Sequence, residues 1–222
     1  MPGSIELRKT GDGSLTLFHR ELDESYHSLY GAISESKHVF IDAGLDYFPE
    51  EVLELNVLEV GYGTGLNALL SYQWTQQHSR KVRYCGIEAF PPDSETIGQL
   101  NYPALLKMDS ALFKNFHHYS GKEKQISSYF SLQTEKASIH EVELPVNAFQ
   151  VVFFDAFSPV KQPEMWSAEL FSKIHISMVQ GGVLTTYSAS GLVKRALRSA
   201  GFHVKRLPGP PGKHEMLRAK KV

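Results

Sequence analysis

The sequence predicts an α/β domain built on a mostly parallel sheet, and three observations carry that prediction. From residue 56 onward, short apolar runs alternate with helix-patterned stretches, which implies right-handed strand–helix–strand crossovers. Residues 58–67, LEVGYGTGLN, read as a strand, a tight glycine turn and the start of a helix. The last two strand-like runs are joined only by residues 207–213, LPGPPGK, which is too short for a crossover helix, so they pair as an antiparallel hairpin.

Taken in order, residues 1–50 read as a small β-rich N-terminal extension and residues 51–222 as the main domain. Ile5 to Lys9 and Leu15 to His19 are strand-like and split by the turn signal Gly11-Asp12-Gly13. A polar helical stretch is expected over Asp23 to Gly31, then a short strand at Val39 to Ile41. Seven strands follow, at Asn56 to Val60, Val82 to Glu88, Tyr129 to Gln133, Gln150 to Asp155, Val183 to Tyr187, His203 to Arg206 and Glu215 to Arg218. Helices are expected at Gly65 to Gln77, Asp93 to Leu100, Ala104 to Phe116, Pro163 to Met178 and Ser190 to Ala200. Five strand–helix units closed by a hairpin resemble the Rossmann-like, seven-stranded sheet of class I S-adenosylmethionine-dependent methyltransferases more closely than the dehydrogenase form of that fold.

Composition narrows the classes of function. No apolar run approaches the roughly 18 residues of a membrane span, and the N-terminus lacks a basic-then-apolar leader, so a cytoplasmic location is expected. Cys85 is the only cysteine, which excludes an intrachain disulfide and a cysteine-based zinc site; within an apolar strand it reads as a small core residue. His117 and His118 are adjacent and point apart, and no metal is assigned. Net charge is −1, but residues 190–222 hold nine Lys or Arg against the single acid Glu215. Such an edge suits a phosphate backbone, or it is simply a solvated helix face with a basic tail.

Ligands of open α/β sheets bind beyond the C-terminal ends of the strands, so the chemistry should sit there. Gly61, Gly63 and Gly65 lack a Cβ, and their backbone can take positive φ and approach a ligand closely. Their Gly-x-Gly-x-Gly spacing differs from the Gly-x-Gly-x-x-Gly dinucleotide fingerprint. Glu59 before the turn would repel a pyrophosphate but suits the cationic aminoacyl end of S-adenosylmethionine. Gly61, Tyr62, Gly63, Thr64, Gly65 and Asn67 are therefore expected to cradle that donor, with a ligand-free glycine turn as the alternative. Glu88, about 20 residues on, can accept hydrogen bonds from both ribose hydroxyls. Glu135, or its backbone, is the candidate for the adenine amino group. Asp155 ends the fourth strand, where a carboxylate requires a nearby amine or donor, and Phe157 can wall a pocket.

The blocks Glu59 to Asn67, Glu88-Ala-Phe-Pro91, Asp155-Ala-Phe-Ser-Pro-Val-Lys-Gln-Pro-Glu-Met-Trp166, Thr186-Tyr-Ser-Ala-Ser-Gly191 and Lys213-His-Glu-Met-Leu217 resemble the methyltransferase domain of the MnmC family of tRNA wobble-uridine modification proteins. The likeness runs from about Tyr26 to Arg218. It implies S-adenosylmethionine-dependent methylation of the 5-aminomethyl group of a wobble uridine, often 2-thiolated, with the tRNA anticodon arm as partner. Family members are often fused to an FAD-dependent oxidase domain; a stand-alone form without FAD is expected here, the aminomethyl group coming from a separate oxidase or from other wobble-uridine modification enzymes upstream. Two departures stand out: Thr134-Glu135 replaces a usual Gly-Asp, and Ser158 replaces a frequent alanine. The resemblance implies that Asp155 faces the methyl group as the catalytic carboxylate. Phe157, Trp166 and Tyr187 become candidate aromatic walls for a flipped-out uridine. Lys161, Lys194, Arg195, Lys213 and His214 become candidate phosphate contacts, and Tyr26 and His27 could cap the substrate pocket. Competing readings are a small-molecule N-methyltransferase, a spermidine-synthase-like aminopropyltransferase and a non-catalytic tRNA-binding scaffold.

Overall fold

The computed structural model describes residues 5–222 and arranges most of them around one eight-stranded sheet. The chain opens with β1 (Ile5–Lys9), β2 (Leu15–His19) and β3 (Glu24–Ser25), a small antiparallel sheet in the order β1-β2-β3. Helix α1 (Ala32–Ser36) runs directly into a π-helical segment, Lys37–Asp42. Then come β4 (Glu54–Val60), α2 (Leu66–His78), β5 (Lys81–Glu88), α3 (Ser94–Gly98), α4 (Tyr102–Leu106) and α5 (Ser110–Asn115). The second half comprises β6 (Lys124–Ser127), β7 (Phe130–Lys136), β8 (Phe149–Phe154), α6 (Ala168–Ser177), β9 (Met178–Thr186), α7 (Gly191–Ser199), β10 (Phe202–Pro208) and β11 (Glu215–Lys221). Among the described residues no helix is long and apolar enough to cross a membrane.

The large sheet has the order β10-β11-β9-β8-β4-β5-β7-β6. Its five central strands, β9 to β7, are parallel, while β6, β10 and β11 pair antiparallel to their neighbours. The anticipated C-terminal hairpin forms, with β11 inserted between β9 and β10. Residues Val151 to Phe154 on β8 are fully buried, which is why four apolar residues follow one another there: a central parallel strand is covered on both faces. One face packs Val57, Tyr84 and Phe153 against α2 and against Val39, Phe40 and Leu45; the other packs Leu58, Val152 and Phe154 against α6 and α7. Residues 32–45, at the end of the expected N-terminal extension, thus share a core with the main sheet.

Several elements depart from the sequence reading for identifiable reasons. The eighth strand, β6, carries a single apolar residue and lies at an exposed edge, so no hydrophobic alternation marks it. Asp23 to Gly31 is not helical: Asp23 has φ +50°, Glu24–Ser25 pairs with β2, and the Tyr26 N–H bonds the Leu17 carbonyl at 2.8 Å. Val39 to Ile41 lies in the π-helical segment rather than a strand, because three buried apolar residues fit either period. The single helix expected over Ala104 to Phe116 is two, α4 and α5, broken at Lys107 with φ +55° and restarted by Asp109, whose side chain accepts the Ala111 N–H at 2.8 Å. Pro163–Trp166 is a 3-10 turn, and Ser167 caps α6 by accepting the Leu170 N–H.

Candidate active site

After β4 the chain lays strands to one side, through β5 and β7, then returns to β8 on the other. A crevice forms at such a reversal, beyond the C-terminal ends of the two strands. Glu59 and Asp155 lie at those ends, and Asn67, in the first turn of α2, joins them. Its Nδ2 donates to Glu59 Oε1 at 2.7 Å and to Asp155 Oδ2 at 2.9 Å. Glu59 Oε2 accepts from the Tyr84 hydroxyl at 2.7 Å, so both of its oxygens are engaged and the side chain is fully buried. Burial, then the neighbouring Asp155, pushes Glu59 well above the ordinary carboxylate range. Asp155 is only half-buried at its surface and has one oxygen outside the bridge. Burial, then Glu35, raises its pKa to about 7, against the pull of the Asn67 hydrogen bond and the Lys213 charge. A carboxyl poised there can hold or release a proton at neutral pH.

The glycine turn adopts the conformation its composition allows, with φ of +86°, +48° and +70° at Gly61, Gly63 and Gly65. A Cβ at Gly61 would lie 2.6 Å from the Asp155 carbonyl, so glycine there lets β4 and β8 close. The Gly63 N–H donates to Glu88 Oε2 at 2.9 Å and the Phe90 N–H to Oε1 at 2.9 Å, fixing the Glu88 carboxylate beside the turn with lone pairs to spare. Burial raises its pKa. Thr64 is buried under His27, with Oγ1 and Nε2 3.4 Å apart, and its carbonyl faces His117 Nε2 at 3.1 Å.

A second group of side chains closes the crevice from the β9 side. Tyr187 donates its hydroxyl to the Ala156 carbonyl at 2.8 Å, and the Lys213 ammonium sits 3.8 Å from the centre of its ring. Lys213 also bonds Glu35 Oε1 at 2.6 Å. The N-terminal sheet forms the roof: Glu24 accepts from the Ser158 N–H and, at 2.8 Å, from its hydroxyl, while the Tyr26 ring meets Phe157 edge-on at 4.9 Å. Tyr26 also lies against Gly63, where an added Cβ would be 3.1 Å from its ring.

The crevice thus gathers Glu59, Gly61, Gly63, Thr64, Gly65, Asn67, Glu88, Asp155, Phe157 and Tyr187 from the sequence candidates. Others fall elsewhere. Trp166 is 1 % exposed, packs on Phe154 and Phe171, and donates Nε1–H to the Phe157 carbonyl at 2.8 Å; it braces the Asp155 loop and has no free face for a base. The Tyr62 ring turns inward over Gly86 and donates to the Phe116 carbonyl at 3.0 Å, leaving only its backbone at the turn. Glu135 lines a groove of about 330 Å³ with Cys85, Ile87 and Leu144 on the sheet face, away from the bridged acids. Burial raises the Cys85 thiol to about 12, which suits a core residue. Lys213 is committed to Glu35 rather than free for a phosphate, and Lys161 lies 3.8 Å from Asp23. Lys194 is half-buried, and Arg195 and His214 are exposed, outside the crevice. Tyr26, named from the sequence as a candidate cap, does lie over the turn, whereas Glu35 and Glu24 escape sequence reasoning, since the polar stretch around them reads as a helix with no link to the site.

Residues 105–222 match a family model described as S-adenosyl-L-methionine-dependent methyltransferase. The chain is 30% identical over 215 residues to the tRNA 5-methylaminomethyl-2-thiouridine biosynthesis bifunctional protein MnmC of Pseudomonas fluorescens, covering 90% of this chain and 32% of that protein. The MnmC of an Azoarcus species is 28% identical over 99% of this chain and 35% of its own length. The chain therefore spans about a third of the length of the curated relatives it matches. Among solved structures, MnmC2 of Aquifex aeolicus superposes with a TM-score of 0.76 at 27% identity, over 98% of this chain and 70% of that one. Spermidine synthase of Thermotoga maritima, with a TM-score of 0.59 at 14% identity over 98% of this chain and 69% of that one, shares the fold alone.

Proposed function

Because the chain belongs to the S-adenosyl-L-methionine-dependent methyltransferase family, we propose that it methylates the primary amine of 5-aminomethyl(-2-thio)uridine at the tRNA wobble position, giving the 5-methylaminomethyl form. The observation that carries this reading is the Glu59–Asn67–Asp155 bridge beneath the glycine turn, with Asp155 titrating near neutrality.

The residues present fit the donor. The positive-φ glycines at 61, 63 and 65 open the turn's backbone, and Asn67 Oδ1 and the hydroxyl of Tyr119, whose ring packs against Tyr62 of the turn, are buried without a partner among the described residues. Gly61, Gly63 and Gly65 would lie along the donor, Glu88 would take its ribose hydroxyls, and Glu59, acting through Asn67, would complement its cationic aminoacyl end. The adenine contact at Glu135 would use its backbone. When bound, the donor supplies an electrophilic methyl group on a sulfonium.

The chain's own task is to present a neutral amine. An alkyl amine is mostly protonated at neutral pH, and an ammonium has no lone pair to attack with. Asp155, in its carboxylate form, takes that proton and holds the nitrogen by a hydrogen bond, a contribution of about 10²- to 10⁴-fold for positioned acid–base groups. Asn67 keeps the Asp155 carboxylate in one orientation, and the Glu24–Ser158 contact fixes the loop that follows it. Phe157, Tyr187 and Tyr26 wall the space above Asp155, as stacking platforms do for single-stranded loop bases. Arg195, with Arg198, Lys205 and partly buried Lys194 along α7 and β10, would follow the anticodon-arm backbone. A tRNA acceptor implies a cytoplasmic site of action.

The test is incorporation of labelled methyl from S-adenosyl-L-methionine into tRNA bearing 5-aminomethyluridine, beside tRNA bearing the carboxymethylaminomethyl form. Label in the first alone is expected. No label in either, despite measurable donor binding, would overturn the tRNA assignment and direct the search to small-molecule amines.

A further inference from the structure

Glu35 is a carboxylate with 6 % exposure on the short helix α1, and Lys213 reaches it from the loop between β10 and β11. The second Glu35 oxygen accepts the Ser28 N–H at 2.7 Å, so the carboxylate is fixed at both ends. Lys213 in turn caps the Tyr187 ring, and the Tyr187 hydroxyl holds the carbonyl of Ala156, the residue after Asp155. A chain of direct contacts thus runs from Glu35 through Lys213 and Tyr187 to the backbone beside Asp155. We propose that Glu35 and Lys213 form a positioning pair that sets the charge on Asp155, and so the pH range in which the acceptor amine is deprotonated; this rests on the reading of Asp155 as the proton acceptor.

Burying the Glu35 carboxylate is costly even with the half-buried Lys213 beside it, and a contact needed only for packing would be as well served by apolar side chains. The two charges act on Asp155 in opposite senses, Glu35 raising its pKa and Lys213 lowering it. The other groups facing Asp155 are Glu59 on β4 with its Tyr84 partner on β5, Asn67 on α2, and Tyr187 after β9, which also feels Glu24 on β3; Tyr102 on α4 stands further off. Glu35 and Lys213 are the ones whose charge can be removed without touching the Asn67 bridge or the donor turn.

Opposite shifts follow from opposite charges. Glu35→Gln keeps an acceptor for Ser28 but leaves the ammonium uncompensated, and Asp155 should titrate lower. Lys213→Met leaves a buried carboxylate uncompensated, and Asp155 should titrate higher. Each shift should be on the order of one pH unit, the range for removing a nearby charge. Lys213→Arg keeps the charge and should shift Asp155 little. The measurement is the 13C titration of the Asp155 carboxyl in aspartate-labelled protein, assigned by its loss in Asp155→Asn, together with the pH dependence of methyl transfer. If Lys213→Met fails to fold, the downward shift in Glu35→Gln against the unmoved Lys213→Arg carries the test. Identical titrations in wild type and Glu35→Gln, or shifts of the same sign in Glu35→Gln and Lys213→Met, would overturn the pair's role. Activity surviving Asp155→Asn would instead strike the base reading, so the two failures are separable.

Discussion

At the ends of β4 and β8 the acids Glu59 and Asp155 share one asparagine, and Glu35 nearby is pinned between Lys213 and Ser28; along α7 and β10, by contrast, Arg195, Arg198 and Lys205 are exposed and join no ion pair among the described residues. In the first region each charge has a fixed position, and burial raises the pKa of both Glu59 and Asp155. In the second each is exposed to solvent. Fixed, buried charge suits proton transfer at one atom, and exposed charge suits a polyanion that presents phosphates over a surface. Effects of mutation should therefore be large and localised in the first region, graded and salt-dependent in the second.

The sharpest way to break this contrast is Asp155→Ala. Methyl transfer should fall by at least about 100-fold, at the low end for a lost acid–base group, while donor affinity measured by calorimetry changes little. Near-wild-type turnover would remove Asp155 from the chemistry. A smaller effect tests the buried region without the reaction. Burial holds His27 neutral, with a pKa near 4 against 6.5 unfolded, so the unfolded chain binds more protons between those values. Stability is then present above pH 6.5 and lost as pH falls toward 4, by about 3 kcal/mol from this residue. His27→Gln should remove most of that acid slope in urea unfolding at pH 7 and pH 4.5; an unchanged slope would locate the acid sensitivity elsewhere. The smallest effect belongs to the basic edge. Charge reversal at Arg195 and Arg198 should weaken tRNA binding and make its salt dependence shallower, by about one in the log–log slope for each phosphate left unneutralised, with turnover at saturating tRNA nearly unchanged. An unaltered salt slope would make that edge a solvated face.

The same contrast governs what the sequence discloses. Glu59, Glu88 and Asp155 were legible because strand ends and a glycine turn are set by local pattern, and an open sheet brings strand ends together whatever the loops do. Asn67 was legible as part of the turn block, but its bridging of two carboxylates was not, since that depends on the register of β4 against β8. Glu35 and Glu24 were not legible because contacts with residues 213 and 158, far away in the chain, position them; Tyr26 was named as a cap, but its contact with the turn at residue 63 was not readable for the same reason. Trp166 misled for the opposite reason: an aromatic in a motif block has the same letter whether it faces a ligand or, as here, supports the loop from the core.

The most direct test of the central claim is the pH dependence of single-turnover methyl transfer in wild type and in Asp155→Asn. Wild type should gain rate through an ionisation near pH 7 as the carboxylate forms, and Asp155→Asn should be slow at every pH with that limb gone. An unchanged limb near pH 7 in Asp155→Asn would contradict the account, since the titrating group would then lie outside the Glu59–Asn67–Asp155 bridge.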